Sequence, residues 1–444
     1  MIESALSTPL GYAVPGNRWD LVTANAIRLP KVSVVVPFYD QQSQLDMLLA
    51  ALGQQTLPVL EVVIADDGSP TPPVVDSPLH TVVVRQDDRG FRAAAARNLG
   101  ARAASGDVLC FLDADTVPEP GYVEALVRLP ALVPDALTVG RRRHADLSAL
   151  GRLPGSQDEI LDEPRWLLDA YRGSRNLLDA DFRSYRHVIS AVMCCTAAFF
   201  AEIGGFDESF TRYGGEDWEL ANRAFLAGAV LAHVPEAVAW HDGPEWADRS
   251  ETARRENKNA EAMSLSPLIS DPAARAHGIR FDVPDVTAVV RTDGHTAASL
   301  LVTVGSVLGH GDVIVWVDGP GAADLVASWK PADPRIRIGT PAPDEVSRSR
   351  FGLEVTGPVV FDAGALRRLG DSTPANGPGL ARCTLRGGSA VEWWSWRAVR
   401  RARRWARALG RSEEEVLTEL FGVVEIDSDD VGASVGPDHP DLSW

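Results

Sequence analysis

The chain has 444 residues, with 43 Lys or Arg against 61 Asp or Glu, so its formal net charge at pH 7 is −18. This length indicates two or three domains, and a hydrophobic content of 45% provides material for sizeable cores. The negative charge argues against a general nucleic-acid-binding protein, which needs a basic surface to neutralise phosphates. An anionic ligand would therefore need local help from a metal ion, arginines or helix N-termini.

The sequence shows no pattern typical of disulfide bonding, of a signal peptide or of a membrane-spanning segment. The four cysteines include no Cys-x-x-Cys spacing, which argues against a disulfide framework or zinc site and fits a reducing cytosol. Residues 1–15 lack the basic start and apolar core of a signal peptide, and the nearly apolar run 188–203 is too polar for a membrane span. We therefore expect a cytoplasmic protein. Lys occurs only at 31, 258 and 330, and this Arg-dominated usage is typical of GC-rich bacterial genomes.

After an extension over residues 1–30, apolar strands alternate with amphipathic helices up to about residue 245. We predict strands at 31–37, 60–65, 81–84, 108–112, 230–234 and 238–241, with helices over 93–104 and 216–227. This order predicts a mostly parallel α/β sheet, in which ligands bind beyond the carboxyl ends of the strands. Residues 141–187 are predicted to be a long irregular segment.

Two acidic clusters follow predicted strands, at Asp66-Asp67 and at Asp113-x-Asp115. Asp113 and Asp115 can jointly bind Mg²⁺ or Mn²⁺ through oxygen ligands, and such a metal would offset charge that develops on a diphosphate leaving group. Asp66 or Asp67 could accept hydrogen bonds from a ribose or a base. Taken alone, each cluster is more typical of an Asp-rich turn than of a binding site.

Four further residues could carry chemistry. Arg97 lies on the helix before the Asp113 strand, where its guanidinium could reach a diphosphate or simply face solvent. Glu216 and Asp217 follow two glycines at a predicted helix N-terminus, which favours the ionised form; this suits a general base and also plain helix capping. His241 ends a strand, either as a metal ligand or as a structural residue.

In chain order, these motifs resemble family 2 glycosyltransferases of the GT-A fold. The resemblance covers residues 31–245. It is carried by VVVPFYD (34–40), DDGS (66–69), RQDDRGFR (85–92), ARNLG (96–100), FLDAD (111–115), GGFDE (204–208) and GGED (214–217). The segments 85–98 and 204–217 are most similar to the chondroitin-polymerase and galactosyltransferase branch.

The resemblance implies transfer of a sugar from a nucleotide-diphosphate sugar, with a UDP-sugar favoured, to an acceptor hydroxyl with inversion. It implies that Asp217 is the general base, that Glu216 binds sugar hydroxyls and that Trp218 flanks the acceptor. It also implies a donor pocket, formed by Pro37, Asp40, Asp66, Asp67, Arg97 and Asp113. The implied Mn²⁺ or Mg²⁺ site is formed by Asp113, Asp115 and His241.

Two departures from the family pattern affect these roles. Asp40 stands where the family usually has Asn, so its side chain can accept but not donate a hydrogen bond while ionised. Residues 190–196 lack the Gly-Asn pair that often precedes the GGFDE turn. The first departure concerns the nucleoside contact, and the second concerns the acceptor.

The rest of the chain predicts a helical connector over 246–282, a second α/β unit and a C-terminal helical region with an acidic tail over 376–444. Residues 283–375 repeat the element order of the first unit and predict a degenerate half-copy, with Gly364 in the place of Asp115. A basic helix over 390–409 carries four Trp. It either contacts the inner face of the membrane or a polyprenyl-linked acceptor, or packs on the second unit.

Two functions other than active glycosyl transfer are compatible with parts of this pattern. The alternative is a catalytically inactive sugar-nucleotide-binding or scaffolding protein, because the degenerate copy indicates that such loss has occurred within this chain. A nucleotidyltransferase would need a Gly-rich phosphate loop with a basic residue after the first strand, which residues 37–42 lack. The acceptor stays open among glycans, lipid-linked glycans, peptides and small molecules.

Overall fold

The computed structural model describes residues 5–8, 10–22, 29–243, 251–275, 279–343 and 345–443. It divides into two compact units, the first built from 4–225 and 229–265 and the second from 226–228 and 266–444. The helix over 251–265, in the stretch predicted to be a connector, is thus part of the first unit.

The strands of the first unit are β1 (Leu6–Thr8), β2 (Gly11–Ala13), β3 (Val32–Phe38), β4 (Glu61–Asp66), β5 (Thr81–Arg85), β6 (Val108–Leu112), β7 (Thr116–Pro118), β8 (Ala136–Ala145), β9 (Val192–Thr196) and β10 (Val230–Asp242). Its helices are α1 (Gln42–Leu52), α2 (Ala93–Ala103), α3 (Tyr122–Leu132), α4 (Leu147–Leu150), α5 (Arg165–Gly173), α6 (Ala197–Glu202), α7 (Glu216–Leu226) and α8 (Glu251–Leu265). The segment predicted to be irregular therefore contains the end of β8, two α-helices and a short 3-10 helix over Ser184–His187.

Among the described residues, eight of these strands form one sheet in the order β5-β4-β3-β6-β9-β8-β10-β7. Strands β3 to β6 pair in parallel, whereas β9 runs antiparallel to both of its neighbours. The continuous apolar run of β3 is buried almost throughout, as expected for a central parallel strand covered on both faces. The predicted α/β class is confirmed.

The strand order reverses at β3, because β4 lies on one side of it and β6 on the other. At such a reversal the connecting helices leave to opposite faces and open a crevice beyond the carboxyl ends of the strands. Asp67 and Asp113 directly follow β4 and β6. The sheet thus brings two distant acidic motifs to one edge.

The N-terminal extension, whose role the sequence did not indicate, is fixed to the first unit by Asn17. This buried side chain donates to the carbonyls of Leu177 at 2.6 Å and Leu231 at 2.8 Å, and its amide oxygen accepts from the Leu231 N–H at 2.8 Å. Residues 175–177 have φ values of 51°, 58° and 67°, which is unusual for non-glycine residues. The bond from Asn17 helps to hold this left-handed segment.

The strands of the second unit are β11 (Val286–Arg291), β12 (Val313–Asp318), β13 (Ile336–Ile338), β14 (Phe351–Thr356), β15 (Val359–Phe361), β16 (Leu380–Thr384), β17 (Ala390–Ser395), β18 (Val423–Glu425) and β19 (Ala433–Val435). Its helices are α9 (Ala297–Leu308), α10 (Ala322–Ala327), α11 (Ala365–Ser372), α12 (Trp396–Leu409), α13 (Glu413–Leu420) and α14 (Ser428–Val431).

The sheet of the second unit repeats that of the first well beyond residue 375. Its order is β13-β12-β11-β14-β17-β16-β18, with β15 paired to β19. As in the first unit, the strand next to the parallel set is antiparallel to both neighbours, and the following pair is parallel. The repeat therefore covers the whole sheet as far as β19, and not the predicted half.

The strand register also corrects the predicted counterpart of Asp115. Val32 pairs with Val108 in the first sheet, and Val286 pairs with Phe351 in the second. Counting forward from these pairs, Thr356 and Pro358 stand where Asp113 and Asp115 would be. The assignment of Gly364 was wrong because its segment matches the short strand after the acidic motif. The second unit therefore lacks both carboxylates.

The basic helix predicted over 390–409 is two elements. Residues 390–395 form β17, in which Val391, Trp393 and Ser395 are buried on alternate positions, the period of a strand. Only 396–409 form a helix, α12, whose Arg397 and Arg401 are fully buried. Trp393 and Trp405 are 1% and 2% exposed, so neither could anchor to a membrane. In the described residues, no helix has the length and apolarity to span a membrane.

Candidate functional site

A cavity of about 590 Å³ lies in the first unit, beyond the carboxyl ends of β3, β4 and β6. Eight of the predicted site residues line it: Pro37, Asp67, Arg97, Asp113, Asp115, Glu216, Asp217 and Trp218. These come from five separate stretches of the chain. Asp40, Asp66 and His241 are not among its lining residues.

Arg97 lies at the centre of the acidic groups. One terminal nitrogen is 2.8 Å from Asp113 Oδ1 and the other is 3.2 Å from Glu216 Oε1. The side chain is 5% exposed, and although burial opposes the charged form, these carboxylates raise the pKa of Arg97. Helix α2 can bring Arg97 this close because Gly100 packs against β3, where a Cβ would lie 2.6 Å from Val35.

Glu216 and Asp217 begin α7 after Gly214 and Gly215, whose φ values of 97° and 99° favour glycine. Glu216 Oε2 is buried and accepts no hydrogen bond, which leaves a strong acceptor available to a ligand. Burial, and then the charge of Glu216, raise the pKa of Asp217 to about 7, against an opposing effect of Arg97. Burial therefore outweighs the helix N-terminus that we expected to favour ionisation.

Asp67 connects the cavity to the loop before α2. Its two oxygens accept from Gln86 Nε2 at 2.5 Å and from the Arg92 N–H at 2.8 Å. Burial raises the pKa of Asp67, although these hydrogen bonds oppose the shift. A nucleoside that donates to Asp67 would therefore meet a carboxylate already fixed in direction.

The neighbouring Asp66, predicted to lie near the nucleoside pocket, is not among the residues that line the cavity. Its Oδ1 accepts from the N–H and hydroxyl of Ser69 at 2.8 and 2.6 Å, and Oδ2 lies 3.1 Å from Arg85. The residue is fully buried because alternate side chains point to opposite faces of the strand end. The Asp66 carboxylate thus stabilises the turn over residues 66–69.

Asp40 is also placed differently from the expectation. It is exposed, with a φ of 52°, and its N–H donates to Ser69 Oγ at 3.0 Å. The adjacent residues Tyr39 and Gln41 line the cavity instead. Asp40 shapes this turn through its backbone, so its departure from the family's Asn is of little consequence for the lining.

Asp115 and His241 meet at the edge of the cavity because β7 pairs antiparallel with β10, opposite Thr116. Asp115 Oδ2 is 3.5 Å from His241 Nε2. Although burial opposes both shifts, this contact lowers the pKa of Asp115 and raises that of His241. A carboxylate and an imidazole at this separation are suitable ligands for Mn²⁺ or Mg²⁺ with phosphate and water.

The described residues contain no preformed cluster of three or more His, Cys, Asp or Glu side chains that could hold a metal. Asp113, the remaining predicted ligand, is turned toward Arg97. The donor types fit a divalent cation that takes most of its ligands from a bound diphosphate, as Mg²⁺ commonly does.

Several lining residues escaped the sequence analysis. They are Tyr39, Gln41, Phe91, Arg142, Trp166, Tyr213, Lys258 and Glu261. Lys258 and Glu261, one helical turn apart on α8, form an ion pair of 2.8 Å, and Lys258 lies 5.2 Å from the Trp218 ring centroid. Their i, i+3 spacing was visible in the sequence, but the contact of α8 with this site was not.

Comparison with known proteins gives matches to the same part of the chain. Residues 33–200 match a family described as "Glycosyl transferase family 2", and residues 178–239 match "N-terminal domain of galactosyltransferase". Apart from residues 226–228, both matched segments fall within the first unit, and together they contain all of the acidic residues that line the cavity except Glu261.

Among similar proteins, a chondroitin synthase of Escherichia coli is 30% identical over 54% of this chain and 38% of that protein. A validoxylamine A glucosyltransferase of Streptomyces hygroscopicus subsp. jinggangensis is 34% identical over 46% of this chain and 53% of that protein. This chain thus matches about half or less of the length of these relatives. A solved structure of GalNAc-T7 with UDP, GalNAc and Mn²⁺ has a TM-score of 0.39 at 18% identity, covering 58% of this chain and 56% of that one.

We predict that Arg97→Gln destabilises the first unit by about 3–5 kcal/mol at pH 8, because it leaves the buried Glu216 and the partly exposed Asp113 without their cation. Urea unfolding followed by tryptophan fluorescence measures the free energy of unfolding.

The control is Arg102→Gln on the same helix, since the Arg102–Glu208 pair has side chains 62% and 44% exposed. It should change the free energy of unfolding by no more than about 1 kcal/mol. Equal effects of the two variants on the free energy of unfolding would contradict the central role of Arg97.

Proposed function

We propose that this chain, whose residues 33–200 match glycosyltransferase family 2, transfers a sugar from a nucleoside-diphosphate sugar to an acceptor hydroxyl. The observation that carries the proposal is one cavity lined by Asp67, Arg97, Asp113, Asp115 and Asp217. A nucleoside-binding carboxylate, a buried guanidinium and a candidate base therefore share a single space. UDP-sugars are the first donors to test.

Asp217 is the proposed general base. Its pKa of about 7 lies close to physiological pH, where a base combines a sizeable ionised fraction with a useful affinity for the proton. The carboxylate removes the proton from the acceptor hydroxyl as that oxygen attacks the anomeric carbon. The nucleoside diphosphate leaves from the opposite side, which gives inversion in a single displacement.

Glu216 and Arg97 are proposed to orient the reactants. The unpaired Oε2 of Glu216 can accept a hydrogen bond from a sugar hydroxyl next to the reacting carbon. Arg97, held by Asp113 and Glu216, presents fixed positive charge to the departing diphosphate, so little reorganisation accompanies the reaction. Trp218 offers an apolar ring face to the acceptor.

A divalent cation held by Asp115 and His241, with Asp113 nearby, would supply further positive charge to the diphosphate oxygens. The chain's own contribution is to keep the Asp115 carboxylate ionised and directed toward the cavity, through His241 and Thr116. A screen of nucleotide sugars with Mn²⁺ by thermal shift should identify the donor, because binding stabilises the folded protein by mass action.

We predict that Asp217→Asn lowers kcat for transfer by about 10²–10⁴-fold, because the amide cannot take the proton. Donor binding in the thermal-shift assay should stay within about twofold of the wild type. Glu256→Gln, an exposed change on α8 outside the cavity, is the matched control and should keep full activity. Full turnover by Asp217→Asn would refute the base assignment, and loss of donor binding would indicate a different role.

We predict that log(kcat/KM) rises with pH up to an apparent pKa of about 7 and then levels, since burial raises the pKa of Asp217 to that value and only the ionised form accepts a proton. A rate profile at saturating Mn²⁺ measures this limb. The rise of log(kcat/KM) with pH should persist in His241→Gln. If the rise disappears in that variant, the titrating group is the His241 imidazole and not Asp217.

We predict that EDTA abolishes transfer and that Mn²⁺ or Mg²⁺ restores it. His241→Gln should raise the metal concentration for half-maximal rate by about 10–100-fold, since one ligand position is lost. His80→Gln, at a mostly exposed histidine outside the cavity, should leave the metal requirement unchanged. Undiminished transfer in EDTA would remove the metal from the mechanism.

A further inference from the structure

A second cavity of about 330 Å³ adjoins the reaction cavity in the first unit. It lies between the loop over residues 209–214 and helix α8. Tyr213, Gly214 and Glu261 line both cavities, so the two meet around the Tyr213 ring. We call this second cavity the extension groove.

Helix α8 presents one face to the extension groove. Asn257, Ala260, Glu261 and Ser264 line it and follow at spacings of three and four residues, which places them on the same side of a helix. The loop approaches this face at Gly214, where a Cβ would make an ordinary contact of 3.5 Å with the Glu261 carboxylate. The groove is therefore bounded by the loop on one side and by the side chains of α8 on the other.

The polar lining of the extension groove has unused hydrogen-bonding capacity. Thr211, Arg212 and Asn257 make no side-chain hydrogen bond or ion pair within the described ranges, whereas Glu261 is paired with Lys258. A hydroxyl, a guanidinium and an amide facing one concave surface can donate to and accept from several ligand oxygens. Polar groups of this kind fix the orientation of a ligand in a cleft.

Tyr213 lies between the extension groove and the reaction cavity and lines both of them. Its side chain is 60% exposed, its ring lies 5.9 Å from that of Phe91, and it immediately precedes the Gly214-Gly215 turn into the proposed base. A molecule whose hydroxyl reaches Asp217 would continue past the Tyr213 ring into the groove.

We propose that the extension groove binds the part of the acceptor beyond the ring that receives the sugar, so that the acceptor is an oligosaccharide of at least two rings. This inference rests on the proposed transfer activity and names its substrate class. Sugar hydroxyls match the unpaired donors and acceptors of Thr211, Arg212 and Asn257, and the Tyr213 ring offers a face for an apolar sugar surface.

The experiment compares acceptors that differ only in length. Methyl β-glycosides of common hexoses and hexosamines are each compared with the disaccharide that carries the same non-reducing ring, using the donor found by thermal shift. In the wild type, kcat/KM for the preferred disaccharide should exceed that for its monosaccharide by at least about tenfold, the size expected from one or two added hydrogen bonds.

The double variant Arg212→Ala, Asn257→Ala should reduce this preference to about twofold while leaving transfer to the monosaccharide and hydrolysis of the donor by water unchanged. Asn259→Ala and Arg128→Ala are the matched controls. Both residues are exposed and neither lines the reaction cavity or the extension groove, and Asn259 is on another face of α8. The control pair should keep the full preference.

The outcomes separate the two proposals. A wild type that uses monosaccharides as well as disaccharides, or transfers to no member of the series while consuming donor, overturns the oligosaccharide assignment alone. A double variant that loses both acceptors equally, or keeps the full preference, overturns the role of the groove. A wild type that neither consumes nor binds any nucleotide sugar would instead refute the proposed function.

Discussion

Two carboxylates from distant parts of the chain, Asp113 and Glu216, meet on one buried guanidinium, that of Arg97. Without this cation, strand β6 and helix α7 would bring negative charges together in a poorly solvated space, where like charges repel strongly. With it, the acidic edge of the sheet can be assembled before any ligand arrives. The positive charge of Arg97 also opposes the rise in the pKa of Asp217. One side chain therefore both pairs with the two carboxylates and adjusts the pKa of the proposed base.

Sequence reasoning recovered the parts of this arrangement that depend on strand ends. The alternation of strands and helices predicted the sheet, and the sheet explains why Asp67, Asp113 and Asp115 share one edge. The sequence alone could not distinguish Asp66 from Asp67. Neighbouring residues at a strand end point in opposite directions, and the pattern does not show which of the two points into the cavity. Asp67 lines the site, while Asp66 caps a turn.

Other features depend on tertiary packing that leaves little trace in a local pattern. Helix α8 follows a stretch outside the described residues, and its charged composition suggested a connector, yet Lys258 and Glu261 line the reaction cavity. Residues 390–395 were assigned to a helix because arginines and tryptophans continue without a break into α12. Only the pairing of this stretch with β14 and β16 makes it a strand.

The second unit retains the strand order of the first but relaxes one feature. In β10 the pairing with β8 skips only residues 235–237 before the strand runs on to His241 beside Asp115. In the second unit the corresponding path is broken into β18 and β19, with α14 inserted between them, and Val435 pairs with Val359 in the last pair, where His241 pairs with Thr116 in the first unit. The second unit thus keeps the strand pairing but carries an aliphatic side chain where the first unit has the imidazole that contacts Asp115.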